Sequence, residues 1–236
     1  NGGRSSINFL FNYAYLELLT LSKGGRFLSE DGQTTEGYLN SAKSVEAAQW
    51  AADLYNVHKV TDMDTVKKNV ALLVSNQLGM VVRPVSAIEV LYNKNQDIGV
   101  ANLPHFNNGV RVNAGNFSGY GIFHSTKSPK AAWNFLKIFA IDVNDVTLKM
   151  YDLRYAFSLP LANDRRNSND PFNQVRVDGV SHFTRTAVLS NEWFPQAVAK
   201  EKQNIQNLLE PDTDMKEELT TISKEIDQQI VDLENK

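Results

Sequence analysis

A glycine-studded approach that runs into a proline-started helix is the strongest constraint on this fold. The run is Gly115-Asn-Phe-Ser-Gly-Tyr-Gly-Ile-Phe-His-Ser-Thr-Lys-Ser-Pro-Lys-Ala-Ala-Trp-Asn-Phe-Leu-Lys-Ile-Phe139. Its glycines at 115, 119 and 121 let the backbone approach a neighbour closely. Tyr120–Phe123 reads as a short apolar strand. Ser128 is placed to cap a helix that begins at Pro129, a residue already suited in φ to a first helical position. Ala132, Phe135, Leu136 and Phe139 recur at helical spacing, so the pattern predicts one buried face.

The rest of the chain must supply what that strand and helix pack on. Its 236 residues suffice for one large domain or two small ones, and 42% hydrophobic with 22% charged residues is the balance of an ordinary globular protein. A net charge of −3 gives no concentrated basic surface for nucleic acid. No apolar run approaches the roughly 20 residues of a membrane-spanning helix. There is no cysteine, which removes disulfides, thiolate nucleophiles and Cys-bearing zinc sites. The sequence opens on Asn1 without an apolar leader, so we expect a mature or otherwise processed form.

Helical and extended patterns alternate along the chain, which argues for an α/β class with helix in excess. Residues 4–23 read as a helix stopped by Gly24-Gly25. Residues 26–38 are polar, with Asp31-Gly32 marking a turn or small hairpin. Asn40-Ser41 caps a helix over Ala42–Tyr55. Thr65–Asn69 reads as a helical turn before a strand at Val70–Val74. A helix around Pro84–Tyr92 and a strand at Ile98–Leu103 follow, the latter ended by Pro104. Residues 144–157 are predicted helical and 163–180 a polar loop. Ser181–Leu209 reads as mostly helical, interrupted near Pro195. Pro211-Asp212 starts a last helix to Leu233, where Met215, Leu219, Ile222, Ile226, Ile230 and Leu233 form one stripe. That stripe packs on its own domain or, alternatively, serves a helical protein-interaction module.

Catalytic and metal-binding patterns do not emerge. The histidines at 58, 105, 124 and 182 lack His-x-x-x-His spacing, so no metal site and no cofactor is predicted. Phe117-Ser-Gly-Tyr-Gly121 is not a hydrolase nucleophile elbow. The glycines at 115–121 precede a strand, whereas a dinucleotide fingerprint follows one. We therefore expect no enzyme.

The Gly-rich strand followed by Ser-Pro-Lys-Ala-Ala-Trp-Asn-Phe-Leu resembles a segment of the extracellular solute-binding proteins of ABC importers, the sugar-binding type above all. Gly24-Gly-Arg-Phe-Leu-Ser-Glu-Asp-Gly32 with Tyr38-Leu-Asn-Ser41 is similar to the family's Gly-Gly turn, hairpin and helix start. Lys68-Asn-Val-Ala-Leu72 resembles its Gly-Lys-x-Ala-Met motif without the glycine. Ile98-Gly-Val-Ala-Asn-Leu-Pro104 resembles its Gly-x-x-Pro-Leu-Pro strand, and Leu159-Pro160 its short proline stop. The order of these pieces covers nearly the whole chain.

The resemblance implies a helix-rich second lobe of a periplasmic-binding-protein-like (type II) two-lobe fold with an incomplete first lobe. Residues 1–113 and 164–236 would form the second lobe, and 114–163 a crossover segment belonging to the first. On this reading the chain is a C-terminal portion of a longer protein, extracellular, periplasmic or a cell-surface lipoprotein. It would hand a small solute, most naturally a sugar, to a membrane permease by lobe closure. A segment 114–163 short of its partners implies association with a second copy. Carried across residue by residue, the family's ligand contacts fall on Asn12 and Tyr13, on Asn76 and Gln77 after the Val70–Val74 strand, on Ser118 and Tyr120, and on Trp193. Four of these have a plainer reading: Tyr13 as core, Tyr120 as packing, Asn76 and Gln77 as a cap or turn; Trp193 sits in a polar Asn-Glu-Trp-Phe-Pro setting that favours exposure. The run Ser75-Asn-Gln-Leu-Gly79 lacks the aromatic that sugar-binding members often carry there, which leaves a non-sugar solute open.

Overall fold

The computed structural model describes residues 5–63, 72–73, 75–84, 98–113, 120–152, 171–201 and 204–235. They fall in two compact units, one of Asn1–Arg83, Leu103–Ala114 and Phe183–Lys236, the other of Pro84–Asn102 and Gly115–His182.

The first unit opens on strand β1 (Ser5–Asn8), then helix α1 (Tyr13–Ser22). The single helix expected over 4–23 is thus a strand and a shorter helix. The division falls at Asn12, whose backbone is extended (φ −156, ψ 177) and whose side chain accepts from the Tyr15 N–H. An asparagine oxygen that caps from outside the helix competes with helical continuation through it. β1 is further held by a parallel partner, β2 (Leu78–Val81), with Ser5 opposite Leu78, Ile7 opposite Met80 and Asn8 opposite Val81.

Helix α2 (Ala42–Asn56) begins where expected, with Ser41 accepting from the Ser44 N–H. Its Ala47, Ala48, Ala51 and Ala52 are buried and let α1 approach closely. The strand expected at Val70–Val74 is corrected at its described positions: Leu72 and Leu73 are helical, and the strand lies later, at β2. Val70, Ala71 and Val74 lie outside the described residues, as do Thr65–Asn69 and most of Pro84–Tyr92.

The chain's last third builds the other side of this core. Asn113 bridges to Phe183 in parallel fashion, and a 3-10 turn (Ala187–Leu189) follows. Three helices then complete the unit: α6 (Phe194–Lys200), α7 (Asn204–Asn207) and α8 (Met215–Glu234), numbered after the three of the second unit. The mostly helical stretch expected over 181–209 is therefore broken well before Pro195, and Pro195 helps to start α6 rather than interrupting a helix. The Asn191 side chain explains the start: its Oδ1 accepts from Trp193 N–H at 2.8 Å and Phe194 N–H at 3.1 Å, while its Nδ2 donates to Gly32 O at 2.9 Å. Gly32 has φ +76, and a Cβ there would stand 2.9 Å from the Ser190 carbonyl oxygen, so both backbone and space call for glycine.

Helix α8 starts at Asp214 rather than at the expected Pro211-Asp212, because Asp212 takes a left-handed φ of 63 that no helix continues through; Asp214 accepts from Lys216 N–H and Glu217 N–H, and the first turn is acidic as the helix dipole favours. Met215, Leu219, Ile222, Ile226 and Ile230 are buried in the one core that also takes Phe9, Phe11, Leu16, Phe27, Leu39 and Phe194. Burial of this stripe leaves the alternative of a separate helical interaction module without its surface.

The second unit holds α3 (Pro129–Leu136), a π-helical turn (Lys137–Ile141), α4 (Asp145–Asp152) and α5 (Pro171–Ser181). Helix α3 begins at Pro129 as expected, although the Ser128 side chain makes no capping hydrogen bond. The expected buried face is not there. No residue of α3 or of the turn after it is buried; Phe135 is 63% and Phe123 83% exposed. Tyr120–Phe123 and Ile98–Leu103, expected as strands, are irregular. A strand is completed by a neighbour's ladder, and these segments pair with none among the described residues. The polar loop expected over 163–180 is helical from Pro171, another first-turn proline, with Phe172, Asn173 and Gly179 buried. Residues 153–170, including the end of the helix expected over 144–157, lie outside the described residues.

Candidate functional site

The register of β1 and β2 decides which candidate residues share an end of the sheet. Both strands run the same way, so Asn8 and Phe9 emerge from the carboxyl end beside Val82 and Arg83. Ligands of open α/β folds settle outside that end. Asn12 follows β1 there and opens α1. Tyr15, on the first turn of α1, donates its hydroxyl to Val82 O at 2.9 Å, which brings the helix start against the end of β2. Arg83 donates from Nη2 to Asn8 Oδ1 at 3.3 Å. One end of the pair thus gathers a guanidinium, a buried asparagine amide and a helix N-terminus.

Asn76 and Gln77 lie elsewhere. They precede β2 instead of following a strand, and so stand at the opposite, amino end of the pair. Asn76 occupies a left-handed turn position (φ 58), its N–H on Leu73 O, with Gln77 N–H on Leu72 O at 2.8 Å. Both side chains are exposed. The misplaced strand is the cause: once β2 is set at Leu78–Val81, the residues after it are Val82 and Arg83. Leu78-Gly-Met-Val-Val82, bounded by Arg83-Pro84, carried that signal in its β-branched end and proline stop. Asn8, Tyr15 and Arg83 are the residues that sequence reasoning missed.

Tyr13 is a core residue, 7% exposed, with its hydroxyl donating to Glu201 O at 3.2 Å. Burial first, then the carboxylates of Glu201, Glu225 and Glu218, hold its phenol far above the ordinary tyrosine range. Glu201 is itself raised, by burial and by the hydrogen-bonded Glu225 carboxyl, and Asn204 Nδ2 donates to both acids at 2.5 and 2.9 Å. This knot joins α1, α7 and α8. Trp193 is partly buried against the same core, immediately ahead of α6. Tyr120 belongs to the second unit; it is 52% exposed and meets Phe139 edge-on at 5.3 Å between ring centroids. Ser118 lies outside the described residues. Among the described residues no cluster of His, Cys, Asp or Glu could hold a metal ion, and no helix is long and apolar enough to cross a membrane.

Comparison with solved structures gives the fold. The sugar-binding protein MalE from the phytopathogen Xanthomonas citri is similar with a TM-score of 0.74 at 15% identity, over 98% of this chain and 59% of that one. The maltose/maltodextrin-binding domain MalE from Bdellovibrio bacteriovorus, bound to maltotriose, gives 0.69 at 18% identity, over 98% and 62%. An ABC transporter solute-binding protein from Thermotoga lettingae, bound with alpha-D-tagatose, gives 0.68 at 15%, over 97% and 59%. The chain therefore has the helix-rich architecture of these two-lobe proteins and spans about three fifths of their length. No curated protein sequence matches it. The family described as "Bacterial extracellular solute-binding protein" matches residues 2–140, more than half of the chain. This chain belongs to the bacterial extracellular solute-binding protein family.

Proposed function

We propose that the chain is part of a carbohydrate receptor that delivers its solute to an ABC-type membrane importer, outside the cytoplasmic membrane, without making or breaking a bond. Lobe closure on the solute is the working step, the solute favouring the closed form by the extra contacts it makes there. The observation that carries the sugar class is that similarly folded proteins were solved with alpha-D-tagatose and with maltotriose in place. Residues 1–113 and 164–236 are read as the second lobe, and residues 114–163 as the segment that crosses to the first.

We place the solute at the carboxyl end of β1 and β2, facing Asn12 and the Arg83 that the buried Asn8 positions, with Trp193 as the flat apolar surface. Sugar recognition needs both kinds of group: planar polar donors for hydroxyls and a ring face for C–H surfaces. The guanidinium also suits a solute that carries a carboxylate. The test is a thermal-shift panel of neutral sugars, acidic sugars and amino acids on the chain in its complete reading frame. A bound sugar at a hundredfold excess over its Kd should stabilise by about 2.7 kcal/mol, and Arg83→Ala should weaken binding about tenfold or more. A panel in which amino acids shift the melting temperature and sugars do not would overturn the carbohydrate reading.

A second copy is the partner we propose for the exposed aromatic side chains of the second unit, where Phe135, 63% exposed, stacks on Phe139 and Tyr120, 52% exposed, meets Phe139 edge-on. Static light scattering of the 236-residue chain should show concentration-dependent association that Phe135→Ser reduces. A monodisperse monomer at every concentration would end that reading.

A further inference from the structure

The buried face of α1 is polar where a core helix is ordinarily apolar. Tyr13, Glu17 and Thr20 follow one another along it, all buried, beside Leu16. Tyr13 reaches Glu201 at one end, and Thr20 at the other has a hydroxyl without a hydrogen-bond partner among the described residues. Between them Glu17, 4% exposed, accepts one hydrogen bond among the described residues, from the Ala187 N–H at 2.6 Å. An ionised carboxylate calls for several donors or a cation, and one amide in an apolar surround is a poor replacement for water.

The turn on the other side of that bond places Ala187 in the core and is otherwise held mainly by its own hydrogen bonds. Residues 185–190 run between two anchors, Thr184 N–H on Asn113 O at 3.0 Å and Asn191 Nδ2 on Gly32 O at 2.9 Å. Between the anchors the backbone bonds to itself: Leu189 N–H to Thr186 O, Ser190 N–H to Ala187 O, and the Arg185 guanidinium to Leu189 O. Val188 and Leu189 turn their side chains to solvent. Glu17 ties the middle of this turn to α1.

We propose that Glu17 and the 185–190 turn form a pH-sensitive latch, closed while the carboxyl is protonated and opened by its ionisation, which draws water in beneath the turn. The charges on the packed elements do not offset that ionisation. Arg185 is turned to Leu189 O, Lys23 pairs with Glu46 at 3.1 Å, Lys43 donates to Gly24 O at 2.7 Å, and Glu201 sits beyond Tyr13. Burial raises the Glu17 carboxyl to about 7, against the lowering effect of the Ala187 amide. Its folded value therefore lies above its unfolded one. The stability it contributes is full below about 4.5 and is lost as pH rises through about 7. The latch opens in that same window, just ahead of the residues that start α6 and carry Trp193. It requires no particular solute and stands apart from the sugar reading.

Hydrogen exchange followed by mass spectrometry tests it on the full chain, with rates corrected for the intrinsic pH dependence of exchange. Protection in peptides covering 185–190 should fall about tenfold or more between pH of about 5.5 and 8.5, while α8 peptides stay unchanged. In Glu17→Gln, which keeps an acceptor for Ala187 and cannot ionise, the 185–190 profile should be flat. Equal pH dependence in wild type and variant would overturn the latch. So would a wild-type loss of protection that spreads equally through α8, a control that holds even if the variant fails to fold.

Discussion

Phe194→Ala should lower the unfolding free energy by about 3–5 kcal/mol, the largest effect expected from truncating one side chain of this core. Phe194 is 1% exposed, and it is the first residue of α6. Its ring fills the core shared by α1, α2 and α8, and its N–H is fixed by Asn191, so the surrounding backbone is not free to collapse into the space left behind. Phe194→Leu, which keeps much of the volume, should lose about half as much. Urea unfolding followed by far-ultraviolet circular dichroism measures both. The midpoint should fall while the slope with denaturant stays constant. A loss under about 1 kcal/mol for the alanine variant would mean that α6 repacks and that its start is softer than the Asn191 cap implies.

The second large effect is electrostatic rather than steric. Asp227, halfway along α8, holds the loop 34–36 by its carboxylate. Thr34 donates its hydroxyl to Oδ2, Thr35 gives both N–H and hydroxyl to Oδ1 at 2.7 Å, and the Glu36 N–H reaches Oδ2 at 3.3 Å. Thr35 is fully buried, and its one hydroxyl proton is shared between Asp227 Oδ1 and Ser223 O, the latter at 2.9 Å. Removing the carboxylate leaves a buried amide without its acceptor, and Asp227→Ala should cost about 3 kcal/mol on that account. Asp227→Asn keeps one acceptor and should cost about half as much. The discriminating measurement is hydrogen exchange of the 29–37 loop, whose protection should drop with the alanine variant ahead of α8 itself. Unchanged loop protection would show that the Ser29–Asp31 turn and Gly32, not Asp227, hold the loop.

Both predictions rest on contacts between residues far apart in the chain, and they mark the boundary of what local patterns could tell. Helices α2, α3 and α8 were legible because their signals are local. Ser41 satisfies an orphan amide three residues away, Pro129 needs only its own ring, and the Met215–Ile230 stripe follows from helical pitch, although the start of α8 falls at Asp214 and not at Pro211-Asp212. The family was legible for a related reason, since a run such as Ser128-Pro-Lys-Ala-Ala-Trp-Asn-Phe-Leu136 carries its resemblance without reference to the rest of the molecule. The strands were not. Ser5–Asn8 is an extended segment because Leu78–Val81 lies beside it, and an apolar run such as Tyr120–Phe123 becomes no strand where no ladder forms among the described residues.

The candidate site shows the same division. The family resemblance supplied Asn12 and Trp193 as candidates, while the sequence pattern ran one helix through Asn12 where the structure starts α1. Tertiary structure decided which of the candidates share an end of the sheet. A parallel register set Asn76 and Gln77 at the far end and brought Arg83 onto Asn8. It also buried Tyr13 and Glu17 on one face of α1, where Ala187 and Glu201 meet them from more than a hundred residues along the chain. Caps, turns and periodicity are decided by neighbours in sequence; pairing, register and the desolvation of a carboxyl are decided by whatever the fold brings alongside.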